Sequence, residues 1–162
     1  MSGKYRKVAV GGTFEKLHRG HEKLVDEAFE VGEFVVIGLT TDRMLGVYTK
    51  PHPVGSYNDR RRELLNYLTK KGVKSGFHIT PIDDPYGSTL SDGEIEALVV
   101  SRETSGRAFE INALREEKGL RPLKVIVIDM VMAEDAVPIS TERIMRGEID
   151  RDGRLLQPSK SE

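Results

Sequence analysis

Five short apolar runs, Val8 to Val10, Phe34 to Leu39, Phe77 to Ile79, Ala97 to Val100 and Val125 to Ile128, are interleaved with stretches of helical periodicity. Runs this short and this continuously apolar suit strands buried on both faces, because a strand with one wet face alternates apolar and polar residues. The stretch from about Gly20 to Val31 puts Leu24, Val25, Ala28 and Phe29 on one helical face, with Gly32 as its stop. A second helix is expected from about Asn58 to Lys71, with Leu64, Leu65 and Leu68 inward and Gly72 at its end. A third runs from about Arg107 to Lys118 with Phe109, Ile111, Ala113 and Leu114, stopping at Gly119. The last, Thr141 to Arg146, has Ser140 as its N-cap and closes at Gly147. Repeated strand and helix alternation requires right-handed crossovers that cover both faces of a parallel sheet. The expected fold is therefore α/β, a Rossmann-like doubly wound five-stranded parallel sheet with helices on both faces. Ligands in such a sheet lie beyond the carboxyl ends of the strands, where the loops after Val10, Leu39, Val100 and Ile128 open.

At 162 residues, one domain with a full core is expected over residues 1–150, followed by a polar tail, 151–162, that should fray. A formal net charge of -1 without a long basic run argues against a nucleic-acid or membrane-surface partner. Anionic ligands would need a local basic pocket. With no apolar run long enough to span a bilayer and no signal-peptide pattern, a cytoplasmic protein is expected. The absence of cysteine removes disulfides and thiolate metal sites.

Between the first apolar run and the first helix lies Gly11-Gly12-Thr13-Phe14-Glu15-Lys16-Leu17-His18-Arg19-Gly20-His21. Gly11 and Gly12 are expected to turn the backbone off the strand end and let it approach a ligand, and Thr13 adds a hydroxyl beside their amides. Gly20 stands at a helix start, where unpaired N–H groups and the positive dipole end attract anions. His18 and His21 could then address one anion together. Neither Gly-x-x-x-x-Gly-Lys-Ser/Thr nor Gly-x-Gly-x-x-Gly occurs, so the loop is not one of the commoner phosphate cradles. A His-x-x-His pair can also hold a metal, but no cysteine and no His-Glu-x-x-His accompanies it. No protein metal site is expected.

Gly12-Thr13-Phe14 followed by His18-Arg19-Gly20-His21 resembles the signature of the nucleotidyltransferase superfamily. Ile139-Ser140-Thr141-Glu142-Arg143 resembles its second motif, with Thr141 in place of a serine and Glu142 in place of a threonine. Members move a nucleoside monophosphate from a nucleoside triphosphate to a phosphate or carboxylate acceptor. Further segments are similar to the archaeal and eukaryotic type of phosphopantetheine adenylyltransferase. These are Ile37 to Asp42, Tyr57-x-x-x-Arg61, Asp83 to Gly87, Leu98 to Thr104, Ile111 to Leu120 and Arg146 to Asp150, so that the resemblance spans Lys7 to about Asp150.

The resemblance implies a nucleotidyltransferase fold and adenylyl transfer from ATP to 4'-phosphopantetheine, giving dephospho-coenzyme A and pyrophosphate by in-line attack on the α-phosphate. A phosphate dianion is already a competent nucleophile, so positioning and charge stabilisation should carry the reaction. By the same resemblance His18 stabilises the transition state, and Thr13 sits between nucleotide and acceptor phosphate. Phe14 and His21 belong to the ATP site, and Ser140 and Thr141 hold the β- and γ-phosphates. Lys50, in Tyr48-Thr49-Lys50-Pro51, matches the lysine that contacts the acceptor phosphate. Arg102 follows the strand after which bacterial members place a substrate-binding arginine, with Arg107 and Arg115 as alternatives. Mg²⁺ would arrive with ATP, carried by phosphates and waters. Two other readings are open: a glycerol-phosphate cytidylyltransferase, whose Arg-Thr element before the second motif is missing here, and a non-catalytic nucleotide or coenzyme A sensor. Retention of both histidines and both hydroxyls speaks for chemistry. The oligomeric state is left open.

Overall fold

The computed structural model describes residues 4–47 and 54–156. Its strands are β1 (Tyr5–Gly12), β2 (Gly32–Thr40), β3 (Phe77–Ile82), β4 (Ala97–Ser101) and β5 (Lys124–Ile128). They form one parallel sheet in the order β3-β2-β1-β4-β5. The helices are α1 (Arg19–Val31), α2 (Asp42–Val47), α3 (Tyr57–Lys70), α4 (Ser105–Glu117) and α5 (Thr141–Met145), with 3₁₀ turns at Gly87–Leu90 and Arg102–Thr104. Each of the five expected strands and four expected helices is present, with ends shifted by a few residues.

Period-two alternation sorts the strand residues between two cores. Val8, Val10, Val35, Ile37, Ala97 and Val99 face α1 and α3, where they meet Val25, Ala28, Leu64 and Leu68. Ala9, Leu98 and Val100 face the other way, onto Ala108 and Ile111 of α4. A smaller cluster of Ala133, Ile139 and Ile149 underlies the segment around α5. The chain winds outward from β1 through β2 to β3, then returns to add β4 and β5 on the other side of β1. The strand order thus reverses between β1 and β4, where an open α/β sheet leaves a crevice for ligand.

Several local expectations are corrected. The turn expected at Gly11-Gly12 lies further along, because both glycines are still in β1, paired with Gly38 and Leu39 of β2. Phe14 (φ 53°) and Lys16 (φ 51°) carry the left-handed backbone instead. Gly32 caps α1 without a left-handed turn (φ -116°); it is glycine because a Cβ would stand 2.6 Å from the Val8 side chain. On α4, Phe109 is 69% exposed and the inward positions are Ala108, Ile111 and Arg115.

Residues 151–156 are not frayed. Ile149 bridges Leu155, Asp150 accepts from the amides of Asp152 and Arg154, and Gly153 is buried against Ile139 and Ala133. The rest of the tail, 157–162, lies outside the described residues. Among the described residues no helix is long and apolar enough to cross a membrane.

Candidate active site

The loop after β1 is held from beneath by a charge. Arg60, on α3 and 2% exposed, donates through Nη1 to the carbonyls of Thr13 (3.1 Å) and Thr40 (2.9 Å) and to the Thr40 hydroxyl (3.2 Å). Its Nε reaches the Gly55 carbonyl at 2.8 Å, and its Nη2 reaches Asp42 at 3.0 Å. The Thr40 hydroxyl, accepting from Arg60, donates onward to Thr13 Oγ1 at 3.2 Å. Thr13 therefore accepts on its protein side and keeps its own proton for a ligand. Arg60 was not singled out in the sequence, where it sits in an Arg-Arg-Arg run that looks like a solvated helix face.

His18 and His21 form one unit. His18, 7% exposed, is the N-cap of α1, and its Nδ1 accepts from the Gly20 amide at 3.0 Å. His21 Nδ1 accepts from the His18 amide at 3.2 Å, and the rings stack with centroids 3.8 Å apart. With both Nδ1 atoms accepting, the neutral rings carry their protons on Nε2. Among the described residues neither Nε2 has a protein partner, so two neighbouring N–H donors are left for an anion. Burial, then the charge of Arg151, pushes the His18 pKa down to about 4, against a smaller opposing pull from Glu142. Burial, then His18 and Arg151, pushes His21 down to about 3. Both are neutral donors at neutral pH. The α1 amides contribute less than expected, since Gly20 donates to His18 and Arg19 donates to the Arg151 carbonyl at 3.3 Å.

The second motif is tied to this loop. Ser140 Oγ accepts from the Arg143 amide at 3.2 Å, which caps α5 and leaves the hydroxyl proton available. The Thr141 hydroxyl is already spent, donating to the Glu15 carbonyl at 2.9 Å. What Thr141 can still offer a phosphate is its backbone N–H. Arg143 is buried and bonded to Asp135, Glu148 and two carbonyls, so its charge serves the fold.

Two cavities adjoin at the carboxyl end of β1. One, of about 350 Å³, is lined by Thr13, Phe14, His18, Gly20, His21, Ser140 and Thr141, together with residues after β5 from Ile128 to Val131. The other, of about 320 Å³, is mainly apolar, with Ala9, Val36, Ile82, Leu98, Val100 and Ile111 among its walls and the turn from Pro85 to Thr89 over it. Gly11, Gly12, Leu24, Glu103 and Thr104 line both. Gly11 pairs with Gly38, so the shared floor is bare main chain; a Cβ on Gly11 would sit 3.4 Å from the Gly38 carbonyl oxygen.

Of the expected cations, Lys50 lies outside the described residues. Arg102 is exposed and lines neither cavity. Arg107 lines the apolar one, over the Tyr86 ring (6.0 Å) and 3.3 Å from Glu110, to which Tyr86 also donates at 2.7 Å. Arg115 is fully buried and donates to the carbonyls of Thr89, Asp92 and Arg121, bracing the turn over that cavity. Among the described residues no group of three histidine or carboxylate ligands could hold a metal. The histidine-lined cavity carries four carboxylates, Glu15, Glu103, Asp129 and Glu142. That donor set fits an ion carried mainly by a polyphosphate.

A parallel sheet with paired imidazoles beyond β1 and a hydroxyl motif beyond β5 is the arrangement of a nucleotidyltransferase. The family model described as cytidylyltransferase-like matches residues 9–147. The phosphopantetheine adenylyltransferase of Methanothermobacter thermautotrophicus is 48% identical over 157 residues, covering 97% of this chain and 93% of that one. That of Methanosarcina mazei is 48% identical over 152 residues, covering 92% and 96%. A solved structure from Archaeoglobus fulgidus, of a protein of unknown function, superposes with a TM-score of 0.68 at 41% identity, covering 76% of this chain and 89% of that one. A tyrosyl-tRNA synthetase from the same organism, with a TM-score of 0.60 at 12% identity over 86% of this chain and 60% of that one, shares the fold alone. The chain belongs to the cytidylyltransferase-like family of nucleotidyltransferases and, within it, to the phosphopantetheine adenylyltransferases.

Proposed function

We propose that this chain, acting through a single nucleotidyltransferase domain over residues 1–150 together with the packed segment 151–156, transfers the adenylyl group of ATP to 4'-phosphopantetheine. The observation that carries this reading is the pair of adjoining cavities, one with two imidazole donors and a hydroxyl motif, the other an apolar slot suited to a pantetheine arm. ATP occupies the first, its phosphates facing His18, His21 and Ser140, with Phe14 behind the loop. The arm occupies the second and brings the acceptor phosphate to the shared Gly11-Gly12 floor. An acceptor oxygen attacks the α-phosphorus in line, a new phosphoanhydride bond forms, and the bond to the β-phosphate breaks to release pyrophosphate.

His18 donates from Nε2 to the α-phosphate oxygen as charge builds there, a fixed donor in a dry site. Thr13, its hydroxyl oriented by Thr40, donates between the two phosphates. Lys50 contacts the acceptor phosphate. The Thr141 amide supports the outer phosphates beside Ser140. Arg107, rather than Arg102, is the cation at the mouth of the acceptor cavity. Mg²⁺, when bound with ATP, neutralises the phosphates; the carboxylates near it would be drawn from Glu15, Glu103, Asp129 and Glu142. Substrates of this kind suit a cytoplasmic enzyme without nucleic-acid or membrane partners.

The test is pyrophosphate release with ATP and 4'-phosphopantetheine beside CTP and glycerol 3-phosphate. Turnover with the first pair alone is expected. Turnover only with the second, or nucleotide binding without turnover on either, overturns the proposal.

A further inference from the structure

The loop from Thr13 to Leu17 contains two non-glycine residues in left-handed backbone, Phe14 and Lys16, a conformation that persists only when its surroundings impose it. α3 grips that loop at both ends. Arg60 donates to the Thr13 carbonyl at one end, and Glu63, three residues along the same helix, accepts the Leu17 amide through Oε1 at 3.2 Å at the other. The second oxygen of Glu63 receives Arg151 Nη1 at 2.6 Å. Residue 151 returns the favour on the far side of His18, since its carbonyl accepts the Arg19 amide at 3.3 Å. The amides immediately before and after His18 are thus both held from outside the loop.

Arg151 is itself anchored. The Asp150 carboxylate takes the amides of Asp152 and Arg154, each at 2.9 Å, and the Asp150 carbonyl takes the Gly153 amide at 3.0 Å. The Gly153 carbonyl accepts Glu134 N–H at 2.9 Å, and Gly153 packs on Ile139, the residue before Ser140. This segment lies beyond the span matched by the family model, which ends at 147.

We infer that Glu63 and Arg151 are positioning residues that fix the His18 backbone, with the segment 148–156 acting as a clasp between the two nucleotide-binding motifs. The inference rests on the proposed adenylyl transfer only for its kinetic readout. The Glu63 and Arg151 side chains are 38% and 44% exposed, so as an ion pair they add little to stability. Their effect is geometric, because a small misplacement of a catalytic donor costs much in rate.

The experiment compares Glu63→Ala, Glu63→Gln and Arg151→Gln, each alone and with His18→Ala. Glu63→Ala is expected to lower kcat roughly tenfold to a hundredfold with little change in KM for ATP or in Tm. Glu63→Gln, which keeps an acceptor for the Leu17 amide, should recover much of that loss. Combined with His18→Ala, the Glu63→Ala change should have almost no further effect, as residues acting through one group are not additive. Additive losses, or a fall in Tm with unchanged kcat, overturn the inference.

A second readout needs no turnover. Glu63, which is not among the charges that shift either ring, holds only the backbone beside His18, so Glu63→Ala should shift the imidazole signals of His18 and His21 in NMR spectra by displacing the rings. Unmoved imidazoles sink the clasp even if the wild type turns over. Moved imidazoles without turnover by the wild type keep the clasp and sink the adenylyl-transfer reading.

Discussion

The two cavities share the Gly11-Gly12 floor and the side chains of Leu24, Glu103 and Thr104, and differ in how the rest of their walls are held. On the imidazole side, donors and acceptors are fixed by hydrogen bonds spanning large separations: Arg60 to Thr13, Glu63 to Leu17 and Thr141 to Glu15. On the other side the sheet and α4 supply aliphatic walls, with Thr40, Ser88, Thr89, Glu103 and Thr104 among them and the Tyr86, Glu110 and Arg107 group nearby. The difference fits the roles proposed for the two sides. Stabilising charge depends on dipoles already aimed, whereas holding a flexible arm depends on contact area that many side chains can supply. Damage on the first side should therefore appear in kcat, and damage on the second in the KM of the acceptor.

The sharpest test of that division is His18→Ala, for which a fall in kcat of about 100- to 1,000-fold is expected with ATP affinity nearly kept. Near-normal turnover would remove the imidazole side from the chemistry. Arg60→Met comes next. It leaves the carbonyls of Thr13, Thr40 and Gly55 without their donor, so a loss of about 3 kcal/mol in urea unfolding is expected, with kcat down alongside. Stability lost without a change in kcat would show that Thr13 does not need its brace.

On the apolar side, Ile111→Ala should cost about 2 kcal/mol and raise the acceptor KM several-fold while sparing the KM for ATP. Equal effects on both substrates would break the separation. The smallest kinetic effect expected is from Arg107→Ala, roughly a threefold rise in acceptor KM, against none for Arg102→Ala, given that a rim charge is half solvated. The reverse result would return Arg102 to the site. Acidity should act on the imidazole side through its two rings. His18 and His21, pushed down to about 4 and about 3, bind fewer protons folded than unfolded. Their contribution to stability is complete above pH about 6.5 and is lost as pH falls toward those values. His18→Asn should flatten part of that slope in thermal melts across the range.

The inner strands were legible because buried parallel strands are written as unbroken apolar runs, as in Val35 to Leu39 and Ala97 to Val100, whereas β3 and β5, read the same way, are edge strands with exposed positions such as Val127. Both motifs were legible as chemistry, and the structure brings His18, His21, Thr13 and Ser140 around one cavity. The supports were not. Arg60 looks like a surface charge, and Arg115 like an alternative substrate ligand, until a carbonyl cluster is folded around each. α2 is only six residues, too short to establish a period, and begins where Thr41 Oγ1 takes the Met44 amide. The apolar residues of α4 do not by themselves mark its buried face, because the inward stripe runs through Ala108, Ile111 and Arg115 while Phe109 faces out.

The bare floor at Gly11 and Gly38 bears on how such an enzyme could diverge. A side chain on Gly38 would press on Ile82 at 3.2 Å, and one on Gly12 would press on the Phe14 ring at 3.4 Å. Drift toward a new acceptor therefore has little room to begin at the floor. It has to start in the roof, on α4 or the turn from Pro85 to Thr89, which makes those two segments the place to randomise when evolving altered acceptor choice in the laboratory.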